Sequence, residues 1–311
     1  MTLQCPASLQ PGDRVGIVAP ASPFDQDRFE QGIKVLEQMG YYPVFDETLF
    51  RKNGYFAGTS GERANEIQAY FAAPDIKALW CARGGYGSLR LLPELDYRAI
   101  SRQPKIFIGC SDITALLTTL HARCGMVTFH GPMVSSLSEA DQGTLDGIRA
   151  ALCGTRPVEI QARRGHVIRP GRARGPVIGG NLATLCHLLA TPYAPDFRGC
   201  ILFIEDTGEK PYRIDRMLTQ MDYAGCFAEI RGLAAGSFTD CGRPGAVARI
   251  FEELFADRDF PVITGFPAGH GHPNMTLPIG AGAALDSVSM SLTYDVPAVC
   301  LPGQTGEPDR P

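Results

Sequence analysis

The sequence predicts an α/β protein in which a parallel sheet with helices on both faces is followed by a smaller domain of mixed helices and strands. Short apolar runs alternate with helical patterns five times over about the first half of the chain, which is typical of βαβ units. The length of 311 residues also exceeds the size at which a single hydrophobic core usually keeps growing. We therefore expect two domains.

The strands of the first half are short runs rich in β-branched or aromatic residues. We place them at residues 14–20, 42–46, 77–82, 105–110 and 126–131. The first helix is expected to begin at Ser22, a capping residue that proline follows. The second is expected to begin at Thr59, because Thr59 and Glu62 have the spacing of a capping box.

The segment from about 155 to 175 is rich in arginine, glycine and proline and has no sustained period. We place a domain linker at 156–175, between domains at 1–155 and 176–311; a surface loop carrying short strands is the alternative. The second domain should contain helices in 180–190, 211–224 and 246–256, and strands at 200–205, 232–238, 261–266 and 275–294.

Composition narrows the class of partner. The net charge of −4 is spread in both signs, so neither a nucleic acid nor an anionic membrane is expected as partner. The amino terminus lacks the pattern of a secretory signal, and no apolar stretch is long enough to span a bilayer. The ten cysteines include no C-x-x-C pair, which favours buried thiols in a reducing compartment. We expect a cytoplasmic protein that acts on a small molecule.

Ser111 is a candidate nucleophile. The apolar run 105–110 passes through glycine into Ser111, which opens a helical pattern. Ligands bind at the carboxyl edge of open α/β sheets, and the backbone N–H of Asp112 could hold an oxyanion there. Taken alone, Ser111 is better explained as a helix N-cap. Cys110 is a competing nucleophile, although a packed core thiol is the interpretation we favour.

A glycine-rich loop follows the apolar strand that ends near Ala82. Its glycines allow backbone N–H groups to approach a phosphate or an oxyanion closely. Neither a Gly-Lys-Ser/Thr ending nor a G-x-G-x-x-G fingerprint is present, so no nucleotide cofactor is expected. A second oxyanion donor from Gly84 or Gly85 is favoured over a plain tight turn.

A serine nucleophile needs a base. Glu205 ends an apolar strand, where its carboxylate could orient an imidazole or merely cap the next turn. His270 and His272 lie in a loop rich in glycine and proline, where histidines are often functional. A metal site built on these two histidines is the rival hypothesis, but no further ligand follows at suitable spacing. The remaining histidines form no recognisable ligand set: His121, His130, His166 and His187.

Six separated motifs together resemble the L,D-carboxypeptidase family, which also includes microcin-immunity peptidases. They cover nearly the whole chain and are 80–87 (WCARGGYG), 109–116 (GCSDITAL), 130–133 (HGPM), 179–182 (GGNL), 203–206 (FIED) with 211–218 (PYRIDRML), and 269–270 (GH) with 276–280 (TLPIG). The resemblance implies a flavodoxin-like amino-terminal domain, a smaller carboxy-terminal domain, an active site between them, a homodimer, and neither cofactor nor metal.

The resemblance also implies the roles of individual residues. Ser111 would be the nucleophile, Glu205 would orient the base, and His270 would be the general base. His270 is preferred to His272 because it directly follows a glycine and precedes the TLPIG motif as in the family pattern. The implied oxyanion hole consists of the backbone of Asp112 and of Gly85. The candidates for substrate contacts are Arg83, Asn181 and Glu209.

Two departures from the family pattern are Ala268, where phenylalanine is common, and Cys110, where tyrosine or histidine is frequent. The implied activity is release of the terminal D-alanine from the murein tetrapeptide L-Ala-D-Glu-meso-diaminopimelate-D-Ala during peptidoglycan recycling. A microcin-type hydrolase of peptidyl or aminoacyl nucleotides is the alternative within the family. It is less favoured because the sole tryptophan, Trp80, lies in a predicted buried strand rather than over the base. A non-catalytic binding protein is a further alternative.

Overall fold

A computed structural model describes residues 3–300 of the chain. The strands are β1 (Arg14–Val18), β2 (Tyr42–Val44), β3 (Ile76–Cys81), β4 (Ile106–Gly109), β5 (Thr128–His130), β6 (Glu159–Gln161), β7 (Val167–Arg169), β8 (Arg172–Asn181), β9 (Ile201–Thr207), β10 (Gly232–Thr239), β11 (Val262–Ile263), β12 (Leu277–Ile279), β13 (Gly282–Asp286) and β14 (Ser291–Tyr294). The helices are α1 (Gln26–Gln38), α2 (Ser60–Ala72), α3 (Tyr97–Ile100), α4 (Thr114–Cys124), α5 (Val134–Leu137), α6 (Gln142–Leu152), α7 (Leu182–Leu188), α8 (Pro211–Tyr223) and α9 (Ala246–Phe255). Short 3₁₀ turns occupy Glu47–Phe50, Ser88–Glu94 and Ser111–Ile113.

The first sheet has six strands in the order β12-β5-β4-β3-β1-β2. Strands β1 to β5 pair in parallel, and their order is the one found in flavodoxin-like folds. The predicted parallel sheet and flavodoxin-like arrangement are therefore confirmed. The sixth strand, β12, pairs antiparallel with β5 although it comes from the second half of the chain.

The second sheet has eight strands in the order β6-β14-β13-β8-β9-β10-β11-β7. Its central strands β8 to β11 are parallel, and the strands on either side of them are antiparallel. The segment 156–175 contributes β6, β7 and the start of β8, which agrees with the alternative of a loop carrying short strands. Buried Val158, Ile160 and Ala162 alternate with exposed residues there, a period of two that the arginine-rich composition hides. The domain boundaries stay a prediction.

Two helix starts test the capping predictions. Helix α2 begins directly after Thr59, which forms a capping box with Glu62, as predicted. Helix α1 instead begins at Gln26 and is capped by Asp25, whose carboxylate accepts a hydrogen bond from a backbone N–H. The prediction of a start at Ser22 is wrong because the Ser22 hydroxyl is engaged elsewhere: it accepts the backbone N–H of Tyr86 at 3.0 Å.

Apolar residues from both sheets form the core. Trp80 is fully buried in β3, and its indole N–H donates to the carbonyl of Pro132 at 2.8 Å, which agrees with the predicted buried strand. Within residues 3–300, no helix is both long enough and apolar enough to cross a membrane.

Candidate active site

Ser111 lies where β4 ends and the chain turns into α4. It adopts a positive φ of 61°, a left-handed conformation that is strained for a residue with a side chain. Such strain persists only where the surrounding structure holds it, and it is concentrated at functional sites. The cap residue of the 3₁₀ turn is Cys110, and neither this turn nor α4 has a side-chain capping bond. The explanation of Ser111 as a simple N-cap is therefore wrong.

The glycine-rich loop packs directly against Ser111. A Cβ at Gly84 would lie 3.0 Å from the Cβ of Ser111 and 3.3 Å from its Oγ, so the absence of a side chain allows this approach. Gly85 has a φ of +103°, and a Cβ there would lie 2.6 Å from the Oγ of Ser22. The glycines thus allow the backbone of this loop to approach the Ser111 side chain closely, which agrees with the predicted close approach of the loop. The oxyanion role of Gly85 stays a prediction.

The side chain of Asp112 ties the nucleophile segment to the same loop. Its Oδ2 accepts the backbone N–H of Ser88 at 2.8 Å. The buried guanidinium of Arg63 donates hydrogen bonds to the backbone carbonyls of Pro20, which follows β1, and of Gly87, which lies in the glycine-rich loop. Burial raises the pKa of the Asp112 carboxyl even though the bonds from Ser88 and the charge of Arg63 oppose that rise. Asp112 thus has a structural side chain, and its predicted contribution to an oxyanion hole would come from the backbone.

Cys110 is 2% exposed. Burial raises the pKa of its thiol far above the ordinary range, and the negative charge of Glu205 raises it further. Because a thiolate rather than a thiol is the nucleophile, this environment makes Cys110 unreactive. The geometry favours a packed thiol at this position.

Glu205 and His270 form a buried hydrogen-bonded pair. Glu205 is the fifth residue of β9 and is fully buried, and its Oε2 lies 2.7 Å from Nδ1 of His270. The loop that carries His270 is fixed on both sides: the N–H of Gly269 donates to Asn274, and the N–H of Gly271 donates to Ser237, each at 3.0 Å. The carboxylate therefore holds the imidazole, although β9 continues to Thr207 and Glu205 does not end the strand as predicted.

The environment of His270 makes its imidazole more basic. Burial alone would lower its pKa, but the hydrogen bond to Glu205 and the charges of Glu205 and Asp206 outweigh burial, and the pKa is raised. The His270 side chain remains 20% exposed, so a substrate can reach it. With Nδ1 engaged by Glu205, Nε2 is the nitrogen available for proton transfer.

His270 lines a cavity of about 120 Å³ to which both halves of the chain contribute. The lining residues from the first half are Cys110, Pro132, Met133, Ser136, Glu139, Ala140 and Thr144, and those from the second are Gly269, His270, Gly271, His272 and Asn274. Ser111 adjoins this lining through Cys110 and is not hydrogen-bonded to His270, whose side-chain bond goes to Glu205. Catalytic hydrogen bonds are often loose before substrate binds. A larger cavity of about 570 Å³ near the starts of α8 and α9 contains none of the predicted site residues.

The three candidates for substrate contacts differ in their surroundings. Asn181 is buried and caps α7: its Oδ1 accepts the N–H of Thr184, and its Nδ2 donates to Asp206 at 2.9 Å. Both ends of this amide are thus engaged within the fold. Exposed Arg83 donates to a backbone carbonyl, and half-buried Glu209 pairs with an arginine one turn later. Their roles in binding stay predictions.

His272, the other histidine of the loop, is exposed and lines the same cavity as His270. The pKa of the Asp141 carboxyl is lowered mainly by the bond from the N–H of Thr144, and nearby His272 adds to this effect. Within residues 3–300, no group of three or more histidine, cysteine, aspartate or glutamate side chains converges as a metal site. The two histidines of the H-x-H pair line the same cavity, but the bond to Glu205 is made by His270.

The structure adds His130, which sequence reasoning had placed in no functional set. His130 ends β5 and is fully buried, with Nε2 4.0 Å from Oε1 of Glu205. A usable signal existed in the sequence. His130 is the last residue but one of the predicted strand 126–131, and adjacent parallel strands end at the same sheet edge, so His130 could have been placed near Ser111.

Gly269 provides a test of the geometry around Glu205. A Cβ at Gly269 would lie 2.5 Å from Oε2 of Glu205, and its φ of +112° is one that other residues rarely adopt. We expect Gly269→Ala to lower the free energy of unfolding in urea by about 2 kcal/mol or more. Gly208→Ala is the matched control, because Gly208 also has a positive φ but a Cβ there would meet nothing within 4 Å. Equal losses in the two variants would mean that the contact with Glu205 has no cost of its own.

Family models match both halves of the chain. The LD-carboxypeptidase N-terminal domain matches residues 15–131, and the LD-carboxypeptidase C-terminal domain matches residues 174–285. The two matched ranges lie on either side of the segment that supplies β6, β7 and the beginning of β8.

Similar proteins come from two groups. The chain is 35% identical to the murein tetrapeptide carboxypeptidase of Pseudomonas aeruginosa over 296 residues, which cover 89% of this chain and 94% of that protein. It is 32% identical to the microcin C7 self-immunity protein MccF of Escherichia coli, with 90% of this chain and 92% of that protein covered. The solved structure of MccF in complex with glutamyl sulfamoyl guanosine has a TM-score of 0.88 at 28% identity, covering 96% of this chain and 100% of that chain.

Proposed function

The chain belongs to the LD-carboxypeptidase family, and on that premise we propose that it is a serine carboxypeptidase that releases the terminal D-alanine from murein tetrapeptides. Ser111 is the nucleophile, His270 the general base, and Glu205 the residue that orients His270. The observation that carries this proposal is the buried 2.7 Å contact between Glu205 and His270 beside the segment of the strained Ser111. This arrangement is the usual means of activating a serine hydroxyl.

In the proposed mechanism, Nε2 of His270 takes the proton of the Ser111 hydroxyl while Oγ attacks the carbonyl carbon of the scissile bond. The oxyanion is held by backbone N–H groups of Asp112 and Gly85, and the imidazolium is stabilised by Glu205. The proton then passes to the leaving nitrogen, and free D-alanine departs. Water, deprotonated by His270, releases the acyl group from Ser111 and restores the hydroxyl.

The murein tetrapeptide is the proposed substrate because the similar protein of Pseudomonas aeruginosa is a murein tetrapeptide carboxypeptidase. The peptide has the sequence L-Ala-D-Glu-meso-diaminopimelate-D-Ala, and cleavage after its diaminopimelate is a step of peptidoglycan recycling. Arg83, Asn181 and Glu209 remain candidates for substrate contacts. Arg83 and Glu209 have the accessible charged groups, whereas Asn181 could act only after giving up bonds within the fold.

The test is release of free D-alanine from L-Ala-γ-D-Glu-meso-diaminopimelyl-D-Ala by the purified protein, measured beside the same peptide with a terminal L-alanine. Turnover of the D-alanine peptide alone supports the proposal. No release from either peptide by folded protein would reject the murein assignment.

Hydrolysis of aminoacyl nucleotides is the second candidate function, favoured by the likeness to the structure of MccF in complex with glutamyl sulfamoyl guanosine. Trp80 argues against it: this single tryptophan is fully buried and bonded to Pro132, so it cannot stack on a base. Hydrolysis of glutamyl sulfamoyl guanosine in preference to the tetrapeptide would support the second candidate. Tight binding of either compound without turnover would favour the non-catalytic alternative.

The pH dependence of kcat/KM tests the role of Glu205. A general base must be neutral, so kcat/KM should rise with pH through the pKa of His270, which lies above the ordinary value of about 6.5. Glu205→Gln removes the charge that raises this pKa and leaves the effect of burial, which lowers it. We expect this variant to be slower and its acidic limb to move to lower pH. If the acidic limb of the kcat/KM profile lies at the same pH in Glu205→Gln as in the wild type, the coupling between Glu205 and His270 is contradicted.

A homodimer and a cytoplasmic location are part of the same proposal. The cytoplasm fits the ten cysteines, all of which are free thiols. Sedimentation velocity at several protein concentrations measures the oligomeric state, and a monomer throughout would exclude the dimer.

A further inference from the structure

His130 is a buried polar side chain that the proposed mechanism does not use. It is fully buried, and within residues 3–300 neither of its ring nitrogens has a hydrogen-bond partner. The same holds for Oε1 of Glu205, the carboxylate oxygen that does not face His270. The two unpartnered groups face each other, with Nε2 of His130 4.0 Å from Oε1 of Glu205. Buried polar groups are rarely left unpaired, because each such group costs about 1–3 kcal/mol.

His130 is neutral in this environment. Burial lowers its pKa to about 4; the charge of Glu205 opposes this effect and His270 adds to it. Cys110 also stays uncharged, because burial raises the pKa of its thiol and the negative charge of Glu205 raises it further. The contact between His130 and Glu205 is therefore not an ion pair. A neutral imidazole offers one N–H donor, and a carboxylate can only accept.

The fold fixes both partners of this contact. His130 pairs with Gly109 of β4 on one side and with Leu277 of β12 on the other, so its backbone lies inside the first sheet. Phe203 precedes Glu205 by two residues in β9, so the two side chains point to the same face of the strand. The Phe203 ring packs edge-on against the imidazole of His130 at a centroid distance of 5.2 Å. The contact thus joins the carboxyl end of β5, in the first sheet, to the carboxyl-terminal part of β9, in the second.

We propose that His130 is a positioning residue for the base: its Nε2–H donates to Oε1 of Glu205, directly or through one water, and so holds Oε2 against Nδ1 of His270. A direct bond requires an approach of about 1 Å from the observed separation, since such bonds are about 3 Å long. A bridging water spans the observed separation without any shift. The inference rests on the proposed role of His270, and it assigns a function to the HGPM motif, which the mechanism leaves unused.

Three substitutions of His130 separate hydrogen bonding from packing. His130→Gln keeps a donor near the position of Nε2, His130→Asn places it near Nδ1, and His130→Leu removes it. We expect His130→Leu and His130→Asn to lower kcat for D-alanine release about 10- to 100-fold with little change in KM. His130→Gln should recover most of kcat. If His130→Leu fails to fold, the difference in kcat between His130→Gln and His130→Asn still tests the proposal. Full kcat in the leucine or asparagine variant, or equal losses in the glutamine and asparagine variants, would overturn the proposal.

A second measurement does not depend on the substrate. The proton between Nδ1 of His270 and Glu205 should give a downfield NMR resonance, assigned by its loss in His270→Gln. We expect this resonance to shift or broaden in His130→Leu and to be retained in His130→Gln, even if the murein peptide proves not to be the substrate. An unchanged resonance in His130→Leu would overturn the positioning role. The proposed function would fail separately, through absence of D-alanine release by the wild-type protein.

Discussion

Replacement of Ser111 by alanine is expected to lower kcat for D-alanine release by about 10⁴-fold or more. The reason is that the attacking hydroxyl is lost and the adjacent thiol cannot replace it: Cys110 is buried and its pKa is raised, so it remains a thiol. The variant should keep its fold and bind the peptide, because removal of one oxygen leaves the packing of Gly84 against Ser111 in place. Steady-state kinetics and thermal unfolding, measured together, check both expectations.

Cys110→Ala is the matched control for Ser111→Ala. It lies next to the nucleophile and lines the same cavity as His270, but a packed thiol has no chemical step to perform. We expect kcat within about threefold of wild type and a loss of stability of about 1 kcal/mol for the small cavity left behind. Loss of turnover in Cys110→Ala together with retention in Ser111→Ala would identify the cysteine as the nucleophile.

Replacement of His270 by alanine is expected to reduce kcat by about 10⁴-fold. The substitution removes the base and leaves the buried carboxylate of Glu205 without its partner at Oε2. A loss of stability of about 2 kcal/mol should accompany the loss of activity, since an unpaired buried acceptor is costly. The decrease should appear in kcat rather than in KM, because the base acts in the transition state. Kinetics and urea unfolding provide the two readouts.

His272→Ala is the control for His270→Ala in the same loop. His272 is exposed and lines the cavity, so its loss could change KM, but kcat should stay within about threefold of wild type. Equal losses of kcat in the two variants would contradict the assignment of His270 as the single base. A loss of activity that added zinc restores in His272→Ala would revive the metal hypothesis.

Much of the fold was predictable because the apolar strands and the caps have strong local patterns. The strand at 201–207, the helix at 211–223 and the capping box at Thr59 agree closely with prediction. The strands of the segment 156–175 could be offered only as an alternative to a linker, because each has three residues or shares its run with arginine and glycine. Their pairing depends on partners far along the chain, such as β14 for β6 and β11 for β7, which no local pattern specifies.

The candidate site was only partly predictable. Strand ends and a glycine-rich loop indicated Ser111, Glu205 and His270 as candidates, but family resemblance was needed to choose among the two histidines and the two nucleophiles. The structure supplies a physical reason for both choices: the Glu205 contact for His270, and the burial of Cys110. His130 escaped notice because its partner, Glu205, lies 75 residues further along the chain and in the other sheet.

The crossing of β12 into the first sheet bears on whether the two halves can exist apart. The loop carrying His270 begins after β11, in the second sheet, and ends at β12, in the first. The loop is therefore anchored at one end in each sheet. An excised fragment 1–155 would present β5 as a bare edge strand, open to pairing with other chains. A rearrangement that moved the second sheet to another protein would therefore also remove from the first sheet its strand β12, together with the loop that carries His270.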